Sequence, residues 1–136
     1  MTSTLDFPVT PAVPPTAVAL LRQAEEGMRE AVRQPHPAYR YADAYLSALR
    51  AAAALLAVRG RPHRGRAKPT SVWTLLSSVA PEMREWAAFF ASCSGTRAAV
   101  QAGLVDRVGP RAADDLTRQA GMFVALVHRT VHGSRR

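Results

Sequence analysis

Two groups of residues have the types and spacing to do chemistry. The first is the run Arg59-Gly60-Arg61-Pro62-His63-Arg64-Gly65-Arg66-Ala67-Lys68, which holds five fixed positive charges and no acid. The chain's formal charge is +8, so the other 126 residues share only +3. Like charges this dense repel one another unless they are solvated or offset by an anionic partner. Seventeen of the eighteen basic residues are arginine, whose planar fork matches phosphate and carboxylate. Gly60 and Gly65 let the backbone of the run approach a partner while Arg59, Arg61, Arg64, Arg66 and Lys68 spread along it. Contacts of this kind position a nucleic acid without reading its sequence, and they weaken steeply with salt. No aromatic residue interrupts the run, so base stacking of the single-strand type is not indicated. RNA, DNA and an acidic protein all fit this chemistry, and a solvated loop without a partner is the bland alternative.

The second group is His128 and His132, four residues apart, the spacing at which two imidazoles on one helix face can share a metal. The residues between them are Arg129, Thr130 and Val131, with no glutamate to act as a base and no third ligand in view. The reading is therefore no metal and no cofactor, with the pair at a helix end beside the core stripe. A single cysteine, Cys93, rules out an intrachain disulfide framework and a multi-cysteine zinc site. Its neighbours Phe89 and Phe90 mark it as a packed thiol. Ser71, Ser77, Ser78, Ser92 and Ser94 sit in no nucleophile signature. Glu25-Glu26 and Asp114-Asp115 read as solvated helix charges.

These residues need elements to hold them, and the apolar periodicity supplies helices throughout. At 136 residues, 48% hydrophobic and 21% charged, the chain suits one globular core. Residues 1–15 carry Pro8, Pro11, Pro14 and Pro15 and are expected to form a flexible, disordered arm ahead of a domain over 16–133 and a basic tail over 134–136. Val18, Leu21, Ala24, Met28 and Val32 recur at helical spacing, and the helix stops before Pro35. Pro37 opens a second helix, with Tyr45, Leu49, Ala52 and Leu56 in one stripe widened by Ala42, Leu46, Ala53 and Ala57. Gly60, Pro62, Gly65 and Pro69 break it, and Thr70 or Ser71 caps a third helix lined by Val72, Leu75, Leu76 and Val79. Pro81 kinks or restarts the chain, and Met83, Trp86, Ala87 and Phe90 continue the stripe. A short helical piece is expected over 96–102. Gly109-Pro110 then opens a long last helix with core residues Leu116, Ala120, Phe123, Val127 and Val131, closed by Gly133. No segment alternates as a strand does. No basic region precedes an apolar run at the N-terminus, and the longest aliphatic stretch, 51–58, is too short to span a bilayer, so a cytoplasmic protein with no membrane partner is expected.

Several segments resemble the HEPN superfamily, in particular its small stand-alone bacterial members. They are Tyr39-Arg40-Tyr41-Ala42-Asp43-Ala44-Tyr45, Ala51-Ala52-Ala53-Ala54-Leu55-Leu56, the arginine-rich run leading into Ser71-Val72-Trp73-Thr74-Leu75-Leu76, Val79-Ala80-Pro81-Glu82, Glu85-Trp86-Ala87-Ala88-Phe89-Phe90-Ala91, and Ala112-Ala113-Asp114-Asp115-Leu116. The resemblance covers roughly residues 16–131 and rests on packing residues. It implies an all-α bundle of four to five helices, commonly a homodimer, in RNA-cleaving, defence or other nucleic-acid settings. Many HEPN ribonucleases have, near the last helix, an arginine and a following histidine with four to six residues between them. Here no histidine follows Arg107, Arg111 or Arg118 at that distance, and the one formal match, Arg29 with His36, falls at the end of the first helix beside prolines. The expectation is a non-catalytic module that binds a polyanion through its loop. A divergent metal-independent ribonuclease using His63, His128 or His132 as general base is the rival, and a protein-interaction adaptor the third reading.

Overall fold

The computed structural model describes residues 12–60 and 71–133. Among them lie five α-helices: α1 (Pro15–Arg33), α2 (Pro37–Arg59), α3 (Val72–Val79), α4 (Arg84–Gln101) and α5 (Pro110–His132). Single 3-10 turns at Pro81–Met83 and Val105–Arg107 lead into α4 and out of it toward α5. The architecture is an all-α bundle, and prolines at the first turns of α1, α2 and α5 start three of its helices where a missing N–H costs nothing.

α2 is the axle. Ala38, Ala44, Ala48, Ala51, Ala52 and Ala54 are fully buried, so small side chains face outward on several sides and let α1, α5, α3 and α4 all close against it. Its mean hydropathy of 1.2 would suffice for a membrane-crossing helix by length and composition, yet half of that window is buried inside the bundle. Neighbouring helices cover that half. Its deepest face is rotated from the stripe expected above, with Leu49 and Leu56 only partly buried and Ala51 and Leu55 in the centre.

Around α2 the aromatic residues form one cluster. Trp73 stacks on Phe90 with ring centres 5.2 Å apart, and Phe123 meets Phe90 at 5.2 Å and Trp86 at 5.5 Å. The Trp73 indole N–H donates to the Tyr45 hydroxyl at 2.8 Å, so its one polar atom is satisfied inside the core. Trp73 thus anchors α3, which its apolar neighbours Val72 and Leu75 only partly do. Ser71 is the cap, its hydroxyl accepting from the Thr74 N–H at 3.1 Å.

Three details differ from the sequence expectation. Val32 is 66% exposed, because Ala31 takes the buried position one residue earlier. The piece over 96–102 is not separate but the last turns of α4. Within α4 the hydroxyls of Ser92 and Ser94 and the Cys93 thiol turn back onto carbonyls one turn earlier, so this polar stretch does not interrupt the helix. Finally, the arm ends sooner than residue 15, since Pro15 is already helical and Val13 packs on the core.

Candidate polyanion-binding end of the bundle

Two ion pairs fix how the helices run. Arg40, near the start of α2, pairs with Asp114 near the start of α5 at 3.2 Å, and it donates to the carbonyls of Gln34 and Pro35 at 2.7 and 3.3 Å. α2 and α5 therefore begin at the same end of the molecule. His128 on α5 meets Glu25 on α1 at 2.7 Å, which runs α1 antiparallel to α5, as it is to α2. α2 and α5 are both 23 residues long, about 34 Å at the rise of an α-helix, so they also finish at the same end.

That topology brings together what the sequence keeps apart. α2 ends at Arg59, where the basic run begins, and α5 ends at His132, followed by Gly133 and the basic residues Arg135 and Arg136. Residues 59–68 contribute five positive charges and residues 129–136 three, with no acid in either segment. The remaining ten basic residues are matched by the chain's ten acids. In formal count the +8 equals the charge of residues 59–68 and 129–136, which start at the ends of α2 and α5; residues 61–70 and 134–136 lie outside the described residues.

Of the run's charged residues, Arg59 is the one described. It does not point freely outward: its guanidinium holds Glu82 at 2.6 Å, and that contact keeps the Glu82 carboxyl below the ordinary carboxylate range. Arg59 thereby ties the root of the loop to the Pro81–Met83 turn. Arg61, Arg64, Arg66, Lys68 and the alternative base His63 lie outside the described residues. His128 and His132 face the same way on α5, as their spacing requires, with ring centres 4.6 Å apart. Glu25, read from sequence as a solvated charge, is the partner of His128. Asp114 and Asp115 are likewise paired, with Arg40 and Arg118. Cys93 is buried, as its phenylalanine neighbours suggest.

Sequence reasoning missed the polar groups lodged between α2 and α4. Arg97 lies over the Tyr45 ring, 5.3 Å from its centre. Burial pushes the Tyr41 phenol above its ordinary value, and the neighbouring Cys93 thiol pushes it in the same direction, while Thr96 opposes them. Tyrosines at 41 and 45 with an arginine at 97 were visible only as types. Their meeting depends on the packing of two helices, which brings together residues 52 positions apart in sequence.

Among the described residues no group of three or more His, Cys, Asp or Glu side chains is arranged to hold a metal ion. A cleft of about 630 Å³ lies beside the Arg59–Glu82 pair and is lined by Arg84, Glu85, Trp86, Phe89 and Gln119 among others.

A comparison with known families matches residues 31–128 to the model for HEPN_SAV_6107-like HEPN domains. That match spans most of the chain, from the last turn of α1 into the last turns of α5, and the all-α architecture agrees with it: the protein belongs to the HEPN superfamily. No curated protein and no solved structure matches the chain.

Proposed function

We propose that this HEPN domain is a non-catalytic module that binds nucleic acid at the end of the bundle where α2 and α5 finish. The observation that supports the reading is that α2 and α5 finish at one end and that the segments following them in sequence, residues 59–68 and 129–136, carry formal charges that equal the net +8. Arg61, Arg64, Arg66, Lys68, Arg135 and Arg136 are the proposed phosphate contacts, with Arg59, which holds Glu82, as the anchor of the run and not a phosphate ligand. Binding through six such contacts should lose on the order of 10³-fold in affinity between about 50 and 200 mM salt.

The test is fluorescence anisotropy of the full chain with labelled single- and double-stranded RNA and DNA at a series of salt concentrations. Replacing Arg64 or Arg66 with Ala should reduce the slope of log affinity against log salt by about one contact each. Arg59→Ala should leave the slope nearly unchanged. No binding at low salt, or binding that ignores salt, would leave an acidic protein as the better partner class.

A cytoplasmic homodimer belongs to the same reading. Its support is an apolar strip between α1 and α5 formed by Met28, Val32, Gly121, Met122 and Ala125, with Met122 53% exposed. Exposed strips of this kind commonly mark interaction surfaces. Asp115 and Arg129 lie seven residues either side of Met122, so a two-fold axis there would set each Asp115 against the second copy's Arg129.

One contact favours the ribonuclease rival. Glu25 holds His128 through Nδ1, which leaves Nε2 as a proton acceptor in the manner of a positioned general base. RNA cleavage in chelator by the wild-type protein, lost in His128→Ala, is what that rival requires.

A further inference from the structure

We propose that His128 and His132 form a two-histidine clip for a divalent transition cation, Zn2+ being the probe of choice, with Glu25 as the carboxylate that orients the clip. The proposal does not depend on nucleic-acid binding, since it concerns one face of α5 and the side of α1 packed against it.

Three observations carry it. Two imidazoles bound through nitrogen to one tetrahedral ion at about 2.0–2.1 Å have ring centres roughly 5 Å apart, and these rings stand 4.6 Å apart at a 49° tilt. The two rings therefore lie side by side within reach of one shared ion. Second, His128 Nδ1 is engaged by Glu25 at 2.7 Å. A carboxylate on the far ring nitrogen fixes the tautomer, leaves Nε2 with its lone pair, and raises its basicity toward a metal, an arrangement common behind zinc-bound histidines. Third, the His128 side chain is 46% and Glu25 37% exposed, so an ion can reach the site and water can fill the positions that two protein ligands leave open. Imidazole nitrogen suits zinc, nickel and copper, and disfavours magnesium and calcium, which prefer oxygen.

Isothermal titration of ZnCl2 into the full chain should give one ion per chain. His128→Ala and His132→Ala should each abolish that binding, and Glu25→Gln should weaken it by about tenfold or more while both imidazoles remain. His36→Asn, which keeps an acceptor at the cap of α2, should bind zinc as the wild type does. A second readout removes any ambiguity from folding: substoichiometric Ni2+ should broaden the imidazole resonances of His128 and His132 and spare His36. Zinc affinity unchanged in His132→Ala, nickel broadening that spares His132, or no zinc binding by the wild-type chain overturns the proposal.

Discussion

Tyr45 performs two tasks with one side chain: its hydroxyl accepts the Trp73 indole N–H and its ring lies beneath Arg97. Removing only the hydroxyl leaves the indole N–H buried without a partner. Tyr45→Phe should therefore lower stability by about 1–3 kcal/mol in urea titrations, although the ring and the cation contact remain. Tyr41 makes a different prediction. Its phenol is held neutral in the fold and its proton leaves at higher pH than in the unfolded chain. Below about pH 10 both states keep the proton and the contribution to stability is complete. As pH rises beyond that, the unfolded chain ionises first and stability falls. Tyr41→Phe should flatten this alkaline limb, measured as urea midpoints at a series of pH values from neutral upward.

The helices were the part of the fold most legible in the sequence, because proline at helix starts and 3.6-residue periodicity are local signals. Pro37, Ser71 and Gly109-Pro110 each mark a boundary that the structure keeps. Faces were less legible where alanine dominates. On α2 nearly any rotation offers an apolar stripe, and only the positions of four neighbouring helices decide which alanines are deepest. The α1–α2 crossing illustrates the same dependence. A methyl group at Gly27 would collide with the hydroxyl of Ser47, itself buried on α2. Glycine is used there for closeness, and nothing in the local sequence of α1 announces it. Gly27→Val should force the two helices apart and cost about 1–3 kcal/mol, visible as a lowered Tm by circular dichroism.

At the scale of the molecule, composition disclosed the charge and its first cluster, but not that α5, which the second basic segment follows in sequence, finishes at the same end as α2. That follows from the parallel course of α2 and α5, fixed by Arg40 with Asp114, two residues separated by most of the chain. The site was hidden for the same reason in its details: Glu82 and Glu25 are ordinary surface acids until packing presents Arg59 and His128 to them. The α1–α5 strip yields a prediction of its own. Met122→Glu places charge at the proposed two-fold axis and should convert a dimer to monomer in sedimentation velocity, leaving helicity unchanged. The aromatic cluster has an optical consequence. Both tryptophans of the chain, Trp73 and Trp86, belong to one stacked group with Phe90 and Phe123. Their emission and near-ultraviolet dichroism therefore report on the junction of α3, α4 and α5 together, so the native chain carries an unlabelled probe of whether its core is assembled.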